Sequence, residues 1–241
     1  MGVNRDIQEP VPNWKPPPAP PADLMLTGSH VRLERLTSGH ISTLWQSFSH
    51  DAQGKNWDYL PVGPFASETE FADWLVPNCQ STDPHYFAII DLTTGHAVGF
   101  CSYLRINPDA GSIEVGFINF SPLLQRTTGA TEAMFLLMQW AFEAGYRRYE
   151  WKCNAANLAS RRAAERLGLS FEGVFRQMMV VKGRNRDTAW FAAIDKEWPD
   201  LKSAFETWLS DDNFTLDRQI KSLSDLTQGI RCSDDPIRKP V

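Results

Sequence analysis

SIEVGFINFSPLLQRTTGATEAMFLLMQWAFEAG (112–145) is the stretch that decides the fold. Ser112 to Phe120 is rich in β-branched and aromatic side chains and reads as a strand. Ser121 to Thr128 is a largely polar turn. Gly129–Ala144 then reads as a helix, apolar nearly all round and therefore buried, with Gly145 ending it. A polar turn between a strand and a helix N-terminus gathers free backbone N–H groups, and the helix dipole adds partial positive charge. Such a place suits an anion, a diphosphate in particular. A cap by Thr127 or Thr128 would satisfy the same groups without a ligand, so the turn by itself leaves both readings open.

Downstream, Arg147–Lys152 reads as a short strand. Asn157 is a good N-cap for a helix running to Leu167, and Gly168 stops it. Upstream, His30–Leu36 alternates as a strand, and Ser38 reads as the cap of a helix carrying Ile41, Leu44, Trp45 and Phe48. Trp57–Phe65 is an aromatic loop broken by Pro61, Gly63 and Pro64. Ser67 and Glu70 form a capping box that opens another helix, through Leu75. Tyr86–Leu92 and Ala97–Ile106 are strands around a Thr-Thr-Gly-His turn, and Phe175–Val181 and Asp187–Ile194 are strands of a hairpin turning at Lys182-Gly-Arg-Asn185. Roughly seven strands and four main helices, interleaved, predict an α+β or α/β sheet.

The ends differ in character. Residues 1–28 hold seven of the prolines and form an extended N-terminal arm, either draped over the domain with Trp14 as anchor or disordered. Residues 29–198 are the globular unit. Residues 199–241 read as a helical tail, with Leu201, Phe205, Trp208 and Leu209 at helical spacing and the last dozen residues disordered. The 241 residues are 42% hydrophobic and carry a formal net charge of −5, which gives no nucleic-acid footprint. The four cysteines are scattered without metal-ligand spacing, so no metal is expected. With no signal-peptide or membrane-spanning run, reduced thiols in the cytoplasm are the expectation. Arg161, Arg162 and Arg166 cluster, as do Lys182, Arg184 and Arg186. Such clusters are commonly solvated surface, although an anionic ligand would want one nearby.

The order strand, Gln125-Arg-Thr-Thr-Gly-Ala130, Thr-Glu-Ala, buried helix, strand, Asn157-x-x-Ser160 and Leu167-Gly-Leu-Ser-Phe-Glu-Gly173 resembles the GNAT superfamily of acyl-CoA-dependent N-acyltransferases, most closely its RimJ/RimL-like branch. The resemblance covers about residues 29–198. It implies a central, mostly antiparallel, twisted sheet of about seven strands flanked by helices. It implies transfer of an acetyl group from acetyl-CoA to a primary amine of a small molecule or a peptide N-terminus, by a monomer or homodimer. The family turn carries a glycine where Thr128 stands, with Gly129 one place later, so the backbone there is expected to depart from the family's, since threonine tolerates positive φ poorly.

By resemblance Gln125 and Arg126, Thr127, Thr128, Gly129, Ala130 and Thr131 belong to the pyrophosphate turn. Phe117, Ile118 and Asn119 would pair by backbone with the pantetheine arm. Asn157 and Arg161 would contact the cofactor, and Ser160 would lie near the thioester sulfur. Glu114, on the motif strand, is the candidate base, with a salt-bridged strand glutamate as the alternative. Ser160 is the candidate acid, with Tyr103 and Cys153 as rivals. Glu172 is a second carboxylate, more readily structural. Trp57, Asp58, Tyr59 and Phe65 occupy the segment that would form the acceptor wall, where aromatic core filling is the alternative. Some ribosomal-protein acetyltransferases of the branch carry a further carboxylate on the strand after Phe-Glu-Gly. Gln177-Met-Met-Val-Val181 has none, so the ribosomal substrate does not carry over. Two other readings share the fold: a CoA-binding regulatory domain, and a scaffold co-opted for other chemistry.

Overall fold

The structure is a computed structural model that describes residues 10–215 and 219–238. Among these, eight strands form one sheet: β1 Leu26–Thr27, β2 Val31–Arg35, β3 His85–Asp91, β4 Ala97–Asn107, β5 Ser112–Phe120, β6 Arg148–Asn154, β7 Ser170–Val181 and β8 Arg184–Ile194. The helices are α1 Ile41–Phe48, α2 Glu68–Asn78, α3 Thr128–Glu143, α4 Leu158–Arg166, α5 Trp198–Leu209 and α6 Leu223–Thr227. The strand order is β1-β2-β3-β4-β5-β6-β8-β7. Neighbours are antiparallel except β5 and β6, which run parallel because α3 carries the chain back across the sheet.

That parallel pair is short. Ser112–Val115 faces Arg148–Trp151, and there the pairing stops. Beyond it β5 continues on β4 alone, and β6 on β8 alone. The cause is a bulge in β5. Between Gly116, opposite Ser102, and Asn119, opposite Phe100, β5 takes three steps to the two of β4, and Phe117 has φ +47°. A bulge bends its strand and adds twist, which carries β5 away from β6. The sheet splits into a wedge.

Each face of the sheet has its own core. On one, Ile113, Val115, Tyr149 and Trp151 pack under α3, whose Phe135 stacks on Trp198 and Phe205 of α5. A helix sandwiched in this way must be apolar nearly all round, as its sequence is. On the other, Phe48, Phe71 and Leu75 of α1 and α2 cover Tyr86, Ala88 and Phe100. The buried Glu132 of α3 accepts the N–H groups of Ser29, His30 and Val31 at 2.7–2.8 Å and pins the start of β2. Glycine is required at position 28, where a Cβ would stand 2.3 Å from the Glu132 carboxyl carbon.

Several expectations change. The chain adds an eighth strand, β1, where the arm ends, because Leu26 and Thr27 pair on the edge of β2. Ser38 does not cap α1. Ser38–His40 form a 3₁₀ turn entered through Thr37, whose N–H is accepted by His40 Nδ1 at 3.0 Å. The Lys182-Gly183 turn has φ +49° and +73°, the left-handed pair a two-residue hairpin demands. The described part of the arm drapes over the domain: Tyr146 Oη donates to the Pro18 carbonyl at 3.0 Å, and a Cβ at Gly111 would meet the Trp14 ring at 3.3 Å. Residues 1–9 lie outside the described residues. At the other end, the described part of the last dozen residues is anchored rather than disordered: Asp235 is buried against α4 and the Cys232 N–H donates to Ser170 Oγ at 3.0 Å; 239–241 lie outside the described residues. No described helix is long and apolar enough to cross a membrane.

Hydrogen bonds to an ionised group contribute about 1.5–3 kcal/mol each. Glu132→Gln, which loses the charge and one acceptor, is therefore expected to lower unfolding stability by about 2 kcal/mol in urea titration. A loss under about 0.5 kcal/mol would show that the carboxylate does not anchor β2.

Candidate active site

Where the sheet splits, a cleft of about 1160 Å³ opens. Residues 116–120 of β5 line one wall, β6 and β8 the other, and the N-termini of α3 and α4 open onto it.

At the α3 end the turn resolves the question raised by Thr128. Thr128 is the first helical residue, with ordinary backbone. The left-handed position falls on Arg126, φ +62°, two residues earlier. Thr127 is the N-cap: its Oγ1 donates to the Leu124 carbonyl at 2.7 Å and accepts the Ala130 N–H at 3.2 Å. The N–H groups of Arg126, Thr128 and Gly129 find no acceptor among the described residues. Gly129 itself is fixed by packing, since a Cβ there would stand 2.9 Å from Val31 Cγ1. Gln125 turns the other way, donating to Asn56 Oδ1 and the Phe120 carbonyl, both at 2.8 Å.

Arg161 does not reach this end. It is buried under α4 in a bidentate pair with Asp235, 2.5 and 2.6 Å, and donates to the Ala155 carbonyl. Arg166, one and a half turns later, takes its place in the cleft. Its Nη1 donates to Thr131 Oγ1 at 3.1 Å, and its guanidinium lies 5.0 Å over the Trp208 ring. The tail, through Trp208, Phe214 and Gln219, completes this end.

In the middle, the bulge residues Phe117 and Ile118 have no partner in β4's register and none in β6, so a strand edge faces the cleft. The Phe117 ring leaves it to pack on Tyr86. Asn119 is buried with both amide atoms unpartnered. Asn157 Oδ1 accepts the Ser160 N–H at 3.1 Å as the cap of α4. Ser160 Oγ accepts the Trp151 indole N–H at 3.0 Å, and its own hydroxyl proton is within reach of the Cys153 sulfur. Beside it, burial pushes the Cys153 thiol up to about 11, away from thiolate chemistry.

A single row of charges runs along the face of β6 and ends in the cleft, where Lys152, Glu114 and Arg105 line it. Glu172 pairs with Arg148, Arg148 with Glu150 at 2.7 Å, Glu150 with Lys152 at 2.7 Å, and Lys152 with Glu114 at 2.8 Å. Arg105 closes the row on Glu114 at 2.7 Å. Both cations bond Glu114 Oε2, and among the described residues no hydrogen bond reaches Oε1. Burial raises the pKa of this carboxyl, with Lys152 and Arg105 pulling it partly back. Tyr103 drops out of the candidates: it is fully buried beneath α3, with its hydroxyl donating to the Leu137 carbonyl at 2.5 Å. Trp57 and Phe65 drop out as well. Their rings stack edge to face, 5.2 Å apart, inside the second core. Asp58 and Tyr59 do line the cleft, and Tyr59 Oη donates across it to the Ala156 carbonyl at 3.3 Å. Opposite them stand Met178, Met179, Arg186 and Trp190, which the sequence reading did not place. One signal was present: Arg148, Glu150, Lys152 and Asn154 alternate along β6, a strand with one wholly polar face.

Residues 30–170 match the acetyltransferase (GNAT) domain model. A GCN5-related N-acetyltransferase from Brucella melitensis is 45% identical, with a TM-score of 0.87 over 90% of this chain and all of that one. A Bacillus subtilis protein described as an uncharacterized N-acetyltransferase is 25% identical over 160 residues, 64% of this chain and 89% of that protein. RimL, a ribosomal L7/L12 α-N-protein acetyltransferase, shares the fold at 20% identity and a TM-score of 0.61, over 71% of this chain and 94% of that one.

If Arg161 is structural, Asp235→Ala should strand a buried guanidinium and cost about 3–5 kcal/mol in urea unfolding. The double replacement Arg161→Met with Asp235→Leu should recover most of that loss. A single-variant loss below about 1 kcal/mol would return Arg161 to the cleft as a ligand residue.

Proposed function

The chain belongs to the GNAT acetyltransferase family, which transfers acetyl groups to amines from acetyl-CoA, and from that premise we infer a direct transfer in the β5–β6 wedge. The observation that carries the reading is the wedge itself. Its free strand edge leads from the unpartnered N–H groups at the entry to α3 to Glu114.

The residues suit acetyl-CoA. The N–H groups of Arg126, Thr128 and Gly129, with Arg126 and Arg166, would hold the diphosphate. The bulge at Phe117 and Ile118 would take the pantetheine amides as an added strand, with Asn157 on the far side. Acetyl-CoA supplies the activated acyl group. An amine must be neutral to form the new N–C bond, and Glu114 Oε1 is the free oxygen that receives its proton, directly or through water. N–H groups of the bulge meet the charge developing on the acetyl oxygen. Ser160 gives its proton to the departing sulfur and regains one by relay from the attacking nitrogen.

Titration calorimetry with acetyl-CoA is expected to give a micromolar Kd, near −8 kcal/mol, and Asn157→Ala to weaken it about tenfold. Absence of binding at millimolar ligand would end the transferase reading. Glu114→Gln should leave that affinity in place and slow transfer about 10²–10³-fold. For the wild type, kcat/KM should fall as pH drops through the raised Glu114 pKa, because only the carboxylate accepts a proton. The variant should lack that limb. An unchanged profile would remove Glu114 as the base.

A further inference from the structure

The acceptor side of the cleft carries a column of unsatisfied donors. Arg186, Thr188 and Trp190 alternate on β8 and so share one face. All three line the cleft. Arg186 Nε, Thr188 Oγ1 and Trp190 Nε1 are each buried from solvent and without a hydrogen-bond partner. Thr188 is 3% exposed. Leaving even one buried polar group unpaired costs about 1–3 kcal/mol, so donors left without protein partners on a cleft wall suit a ligand that brings acceptors.

The chemistry of that partner is constrained. A guanidinium Nε–H and an indole N–H can only donate, and a hydroxyl can do either. The partner must present acceptor oxygens. Its charge is constrained too. The row Glu172, Arg148, Glu150, Lys152, Glu114, Arg105 is balanced, three acids against three bases. Arg186 stands beside it as an extra cation that makes no salt bridge among the described residues; Glu114 attracts it and Arg105 repels it, and both are already committed to the row. Of the other nearby acids, Asp58 lies on the opposite lip near Lys182, and the exposed Asp187 accepts from Gln177 N and Asn185. The column and the candidate base are neighbours: the Lys152 ammonium that bonds Glu114 at 2.8 Å also sits 3.8 Å over the Trp190 ring.

Resting on the transferase reading above, we propose that the acceptor is an amine carrying a carboxylate within a few bonds of its nitrogen, an amino acid or a close analogue. The carboxylate docks on the Arg186–Thr188–Trp190 column, which turns the amine toward Glu114 Oε1. Specificity then lies on β8, on the wall facing the cofactor's strand. Met178, Met179 and Tyr59 leave room for an apolar side chain.

Product binding tests this without needing the true acceptor. The CoA-saturated protein is titrated, by thermal shift, with the N-acetyl forms of the twenty amino acids and with the matched N-acetyl amides. At least one acid is expected to bind tenfold or more tighter than its amide. Arg186→Gln should erase that preference while the shift given by CoA alone stays as in the wild type, and Arg186→Lys should keep part of it. If no acid outbinds its amide, or if Arg186→Gln weakens CoA and leaves the preference intact, the column does not read a carboxylate. If CoA alone gives no shift, the transferase reading fails and this proposal with it.

Discussion

β5 cannot stay paired on both sides. Its bulge at Phe117 and Ile118 keeps it on β4 and peels it from β6 after four residues, and the remaining architecture answers that separation. A split sheet exposes backbone groups and costs stability unless something fills the gap. Here α3 and α4 bring their N-termini to it, the Lys55–Pro61 loop and the β7–β8 hairpin roof it, and the tail closes one end. Glu132 and Asp235 fix the outer pieces, one holding the first strands to α3 and the other holding the tail to α4.

Electrostatics on the acceptor face follow from the same geometry. No helix of the second core extends over β6 and β8, so their outward residues are free to be polar. Bare charges in a half-dry cleft would be costly, and alternation of sign along the row offsets that cost. The same arrangement gives Glu114 two cations on one oxygen and leaves the other open. The open oxygen is the one left to take a proton.

Much of this was legible beforehand, for identifiable reasons. β5 runs from Ser112 to Phe120, as its composition indicates, and α3 begins one residue before its predicted start, because strand and helix periods there are uninterrupted. Asn157 caps α4 as read. What could not be read depends on distant partners. Arg161 and Arg166 sit five residues apart on one helix, and Asp235, 74 residues beyond Arg161, decides which of them enters the cleft. Trp57 and Phe65 share a loop with Tyr59, yet only packing against Phe71 and Phe100 takes the first two inside. Thr128 stands where the family turn has a glycine yet keeps an ordinary helical backbone, because the left-handed turn residue is Arg126. The β8 column needs the strand order, in which the last strand of a hairpin inserts beside β6.

Two hydrogen bonds cross the roof of the cleft, Tyr59 Oη to the Ala156 carbonyl and Lys182 Nζ to the Trp57 carbonyl at 2.8 Å. They tie the loop that carries Asp58 to both sides of the wedge, one through the turn before α4 and the other through the β7–β8 hairpin. The acceptor side of the cleft is thereby bordered by a continuous rim of hydrogen-bonded chain, although the strands beneath it have parted.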